Sequence, residues 1–129
     1  MNTQTIKPAI ILIVDDDPTV LRLLTAKLSV FKWITVIATA DPQAAIALAV
    51  EKLPDLIVCD IDMNKMDGCE IAQRLQSQPA TKAIPFIFLS SLVAAADVER
   101  NKGTIGGRRM ISKQSPLDKI IGAIIEAVP

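Results

Sequence analysis

The sequence predicts an α/β fold: a five-stranded parallel sheet flanked by five helices. Short, continuously apolar runs alternate with stretches whose apolar residues recur at helical spacing. The helix starts are unusually well marked by Asp-Pro and Ser-Pro pairs, which place a capping side chain before a proline suited to the first helical position. The chain has 129 residues, half of them hydrophobic but only 3% aromatic, so a one-domain core of Ile, Leu, Val and Ala is expected.

The elements follow in order. Residues 1–7 form a polar extension, and the domain core is expected over about 8–128. Residues 10–14 form the first strand, and Asp17-Pro18 opens a helix with an apolar stripe of Val20, Leu23, Leu24, Leu28 and Phe31. Residues 34–38 form a weaker strand suited to a sheet edge. Asp41-Pro42 then starts a helix faced by Ala45, Ile46, Ala49 and Leu53. Residues 56–59 form the third strand. Asp67 followed by Glu70 reads as a capping box for a helix anchored by Ile71 and Leu75. Residues 85–89 form the fourth strand, and a helix is expected over about 93–102, ended by Gly103. Gly106-Gly107 leads into the last strand, residues 110–112, a second candidate for a position at or near a sheet edge. Ser115-Pro116 opens a final, very apolar helix through Ile120, Ile121, Ile124 and Ile125. The first, third and fourth strands have no polar face, as expected of parallel strands covered on both sides by right-handed crossovers. With no repeat, linker or low-complexity tract, residues 1–129 read as one domain.

Composition removes several classes of function. Fourteen basic and fourteen acidic residues cancel, which favours neither nucleic acid nor an anionic membrane as a direct partner. No apolar stretch approaches a membrane span or a signal-peptide core, so a cytoplasmic location is expected. Histidine is absent, which excludes His-based acid–base catalysis, His metal ligands and a phosphohistidine on this chain. Cys59 and Cys69 form neither a CxxC pair nor a disulfide framework and are read as reduced, inert thiols.

Chemistry concentrates at the strand ends. Asp15-Asp16 closes the first strand and Asp60 the third, so neighbouring strands would bring three carboxylates together. Like charges about 4 Å apart repel by roughly 1 kcal/mol in water and about 4 kcal/mol at an effective dielectric near 20. A hard divalent cation held by oxygens would offset that repulsion. Ser90 closes the fourth strand and Lys113 follows the last, adding a hydroxyl and an ammonium at the edge where open parallel sheets bind ligands. A metal on two carboxylates, with phosphoryl oxygens bound by the hydroxyl and the ammonium, would leave one carboxylate aimed at phosphorus.

These residues, in the motifs Val14-Asp15-Asp16-Asp17-Pro18, Asp60 to Gly68, Leu89-Ser90-Ser91 and Ser112-Lys113, resemble the receiver domain of bacterial two-component response regulators, from about Ile10 to Val128. The resemblance implies a flavodoxin-like sheet of order 2-1-3-4-5. It implies Asp60 as phosphoacceptor and magnesium, with manganese as a substitute, as cofactor. Asp16 and Asp60 would be direct ligands, Asp15 would orient a water of the metal, and the backbone carbonyl of Asp62 would add a ligand. Ser90 would be the switch hydroxyl, Ser91 the small neighbour that leaves room for the phosphoryl group, and Lys113 its counter-ion. The implied partners are a histidine kinase or phosphotransfer protein and an unspecified downstream target; the chain would be a complete small protein or the receiver piece of a longer one. The surface expected to change spans the fourth helix, the fifth strand and the last helix.

Four positions depart from the family pattern. Met110 stands where many receivers carry the switch aromatic, and Gln114 replaces a proline that often follows a cis bond. A cis bond before Gln would cost about 2.5–4 kcal/mol, so a trans bond and a shifted Lys113 loop are expected. Asn64 replaces a common proline, and Asp62 adds a carboxylate near the site. Two other readings compete. The Asp60-Ile61-Asp62 run resembles the DxD of haloacid-dehalogenase-type phosphatases, although that motif belongs on the first strand and its acidic pair should follow the lysine. A receiver that folds and binds but is never phosphorylated is the other.

Overall fold

A computed structural model describes residues 7–63, 65–105 and 108–129. Most of the polar extension, Asn64 and the Gly106-Gly107 lead-in lie outside the described residues. The elements alternate as expected: β1 (Ala9–Val14), α1 (Pro18–Leu28), β2 (Ile34–Thr39), α2 (Pro42–Lys52), β3 (Leu56–Asp60), α3 (Gly68–Gln76), β4 (Phe86–Ser90), α4 (Ala95–Arg100), β5 (Thr104–Ile105), β6 (Arg108–Ser112) and α5 (Leu117–Ala127). The sheet order is β2-β1-β3-β4-β6-β5. Strands β2, β1, β3, β4 and β6 are parallel neighbours, which is the 2-1-3-4-5 order. The two-residue β5 is an addition: it pairs antiparallel with β6 and caps the sheet edge.

Register explains the site. Val14 lies beside Cys59 on β3, so Asp15-Asp16 and Asp60 leave adjacent strands at the same level. Asp60 lies opposite Leu89 and Ser90 opposite Ser112, which brings Ser90 and Lys113 to the same edge.

Strand alternation divides the core between two faces. Ile11, Ile13, Val58, Leu89 and Ile111 face α1 and α5, together with Ile120 and Ile124. Leu12, Val14, Ile57 and Cys59 face α2 and α3. Trp33 packs at the amino end of the strands, where its carbonyl accepts from the Ala9 N–H at 2.8 Å, on the edge opposite the carboxylates.

The caps behave as expected at three helices. Asp17 and Asp41 accept from the N–H two residues on, each with proline at the start of its helix. Asp67 accepts from the Glu70 N–H at 2.9 Å, but Glu70 turns to Arg74 rather than back to Asp67, so the capping box is half formed. At α5 the expectation fails: Pro116, not Ser115, is the N-cap and has no side chain to offer, while the Ser115 N–H donates to the Ser112 carbonyl.

Two predicted stripe residues are exposed. Leu23 lies beside a small apolar cavity between α1 and α5, and Leu53 adopts a left-handed conformation (φ 48°) that caps α2. The fourth helix is shorter than the expected 93–102, running only from Ala95 to Arg100; Gly103 (φ 82°) ends the turn after it.

Candidate functional site

The carboxylates meet as their strand ends require. Ligand atoms of Asp15, Asp16 and Asp60 lie within 4.8 Å of one another, with Asp15 and Asp60 buried and Asp16 exposed. Asp15 Oδ1 accepts from the Asp17 N–H at 2.9 Å, and Asp60 Oδ1 accepts from the Asp62 N–H at 3.1 Å. These local turns aim the second oxygens at the shared space. Lys113 Nζ enters it from above β6, 2.7 Å from Asp15 Oδ2 and 3.2 Å from Asp60 Oδ2.

The electrostatics follow from burial. Desolvation pushes the Asp15 carboxyl above its usual range, and the Asp60 charge adds to this; the Lys113 ammonium and the Asp17 N–H work the other way. Burial works against the charge of Lys113, but Asp15 and Asp60 outweigh it and hold its pKa above the ordinary lysine value. Asp15 Oδ2 is buried without a hydrogen bond of good angular geometry, so its contact with Lys113 is chiefly ionic. Two buried carboxylates, an exposed third and an under-satisfied oxygen are a donor set that fits a hard divalent cation.

The other predicted residues fall around this centre. Ser90 is buried, and its hydroxyl lies 3.4 Å from Asp62 Oδ2 while accepting from the Leu92 N–H at 3.1 Å. The carboxylate of Asp62 thus lies within long hydrogen-bond reach of the Ser90 hydroxyl, and solvent reaches its other side. Ser91 is exposed and contributes a backbone carbonyl to the loop network. Met110 is buried with Ala72 and Phe88 on the α3 side of the sheet.

Three positioning roles were missing from the sequence reading. Gly68 opens α3. A Cβ there would sit 2.6 Å from the Asp60 carbonyl oxygen and 3.0 Å from Ile61 Cα, so the absent side chain lets α3 start against the end of β3. Ser112 is buried; its hydroxyl donates to the Val93 carbonyl and accepts from the Gln114 N–H at 3.1 Å. Gln114 does what a proline could not: its N–H holds Ser112, and its Nε2 donates to the Ser91 carbonyl at 3.2 Å. The bond before it is trans, as expected, and the Lys113 N–H still reaches the Ser90 carbonyl at 2.8 Å. Cys59 is buried, and desolvation raises its thiol well above the ordinary range, which fits an inert role.

Comparison with known proteins agrees with this geometry. The family model for the response regulator receiver domain matches residues 11–125. A probable chemotaxis protein CheY from Rhizobium etli is 30% identical over 118 residues, 92% of this chain and 90% of that protein. The response regulator PleD of Caulobacter vibrioides is 37% identical over 87 residues, 67% of this chain but only 19% of PleD. The crystallised chemotaxis protein CheY4 of Vibrio cholerae aligns with a TM-score of 0.75 at 22% identity, covering 92% of this chain and 98% of that one, and speaks to the fold. The chain belongs to the response regulator receiver domain family. It is a receiver domain of two-component signalling, a signalling module, and the phosphatase alternative is not favoured. It spans about a fifth of the length of PleD. Among the described residues no helix is long and apolar enough to cross a membrane.

Proposed function

We propose that Asp60 accepts a phosphoryl group from the phosphohistidine of a partner kinase or phosphotransfer protein, and that the acyl phosphate resets a partner-binding surface. The observation that carries this is the meeting of Asp15, Asp16 and Asp60 within 4.8 Å, with Lys113 Nζ 3.2 Å from Asp60. A carboxylate oxygen of Asp60 attacks phosphorus, the P–N bond to the donor imidazole breaks with its electron pair going to that nitrogen, and the imidazole leaves neutral, keeping the proton on its other nitrogen or taking one from solvent. Lys113, already balanced between two carboxylates, moves its charge onto the phosphoryl oxygens. Ser90 leaves Asp62 for the same oxygens, carrying the β4–α4 loop with it. Magnesium, or manganese in its place, held by Asp15, Asp16, Asp60 and the Asp62 carbonyl, would neutralise charge as the phosphoryl group arrives. Ser91 leaves the approach to Asp60 open. Beyond accepting and losing this one group in the cytoplasm, the domain turns over no substrate.

The test is intact mass after incubation with acetyl phosphate, with and without magnesium, beside Asp60→Asn. One added phosphoryl group that needs magnesium and vanishes in the variant is the expected result. No adduct from acetyl phosphate or from a phosphorylated kinase domain, or an adduct indifferent to Asp60, would leave a receiver that works only by binding.

A further inference from the structure

A groove of about 860 Å³ runs beside α3, floored by Phe86 and Phe88 and edged by Arg108 and Arg109. Its origin is a shortfall in the fold. The crossover from β4 to β6 should lay a helix over that part of the sheet, but α4 has six residues and none of them is buried. Six helical residues span about 9 Å, against about 16 Å for a five-residue strand. Among the described residues, the sheet beside α3 is therefore left partly uncovered, on the face opposite α5.

The charges on its rim do not cancel. Asp67 caps α3 and keeps its charge, and Glu70 is paired with Arg74 at 3.0 Å, so two carboxylates face three arginines in the lining. Arg108 and Arg109 are exposed, and among the described residues neither lies within ion-pair distance of a carboxylate. Arg108 lies over the Phe88 ring, 5.5 Å from its centroid, and also approaches Cys69 Sγ. Aromatic surface under the Arg108 guanidinium, with Arg109 at the edge of the groove, is complementary to a ligand with both an apolar ridge and carboxylates.

We infer that this groove docks an acidic amphipathic helix of a partner protein. The occupant is a helix because the space lies in the helical layer beside α3, where a fully formed α4 would pack; the nine residues of α3 match about two to three turns. Apolar residues of the incoming helix lie against Phe86 and Phe88, and its Asp or Glu residues meet Arg108, with Arg109 adding positive charge at the edge. The floor also leads back to the phosphoryl site, since Phe88, Met110 and Ala72 pack with Ile61, the residue after Asp60.

The test needs no phosphorylation, so it can fail or succeed independently of the role of Asp60. A random display library of peptides about three helical turns long is selected against the unphosphorylated full chain. Selected peptides are then titrated into isotope-labelled protein and followed by amide shifts. The expected binders combine Asp or Glu with Leu or Phe and shift the amides of Ala72, Phe86 and Arg108. They also weaken with salt and lose about tenfold in affinity against the Arg108→Glu/Arg109→Glu double variant. The shift map stands on wild-type protein even if that variant folds poorly. Binders without acidic residues, binders mapping to another face, or no binders at all would overturn the proposal. So would self-association abolished by the charge reversal, which would assign the groove to a second copy.

Discussion

Helices α4 and α5 flank the same strand, β6, from opposite faces, yet they solve the covering problem with unequal success. α5 has eleven residues and buries Ile120, Ile121, Ile124 and Ala127 in a core shared with β1, β3 and β4. α4 has six residues, buries none, lacks a capping side chain, and ends in a turn through Lys102 (φ 56°) and Gly103. Isoleucines at helical spacing lock α5 in place. Ala95, Ala96 and Val98, among charged neighbours, offer α4 too little apolar surface to do the same. One face of the sheet thus carries a well-anchored helix, while the other carries a thinly packed one near Ser90.

The largest test of this contrast is Ile124→Ala. Ile124 is fully buried, and truncation should cost about 3 kcal/mol in urea unfolding without changing two-state behaviour. A cost under about 1 kcal/mol would mean that α5 is no better anchored than α4. Next comes Gly68→Ala. The added Cβ meets backbone rather than a side chain that could swing away, so the start of α3 or the end of β3 must move, at about 2 kcal/mol. Phosphorylation by acetyl phosphate should slow with it, because Asp60 is the residue displaced. Normal stability with normal phosphorylation would show that the close approach is slack.

Asp15→Asn should act in the opposite direction. The folded pKa of Asp15 is raised, so the folded state binds its proton more readily than the unfolded chain, and stability falls as pH rises through that folded pKa. Above it, the neutral amide should stabilise the metal-free protein by on the order of 1 kcal/mol. The gain should disappear at acid pH, where Asp15 is protonated anyway. Magnesium should raise the melting temperature of the wild type and raise that of the variant less. A variant less stable than wild type at neutral pH would mean that the Lys113 pair outweighs burial.

The contrast between α4 and α5 also explains what could be read from the residues. Carboxylates at strand ends were legible because two buried parallel strands leave little choice of register: Val14 must sit near Cys59 if both apolar runs are to be covered. The same holds for Ser90 and Lys113. The helix stripes misled at Leu23 and Leu53 because helical spacing marks a face but not its width, and the left-handed Leu53 lies beyond the last turn. The roles of Gly68, Ser112 and Gln114 were not legible, since each depends on which backbone comes close in three dimensions. The short α4 and the added β5 were hidden for a related reason. Their residues lack a strong period, so local turns and the sheet edge decide their ends.

The smallest effect is the sharpest test of the uncovered face. Val98 is half-buried and is the one α4 residue packed against the Phe88–Met110 cluster. If α4 only rests on the sheet, Val98→Ala removes partly exposed methyl groups and should cost about 0.5 kcal/mol, well below the cost at Ile124. Amide exchange along residues 95–100 should then be fast in both proteins, far from the global unfolding limit that α5 should approach. A loss near 2 kcal/mol, with slow exchange through α4, would mean that the helix closes over Phe86 and Phe88 in solution. The groove beside α3 would then be filled by the chain itself, and the two faces of β6 would be equally covered.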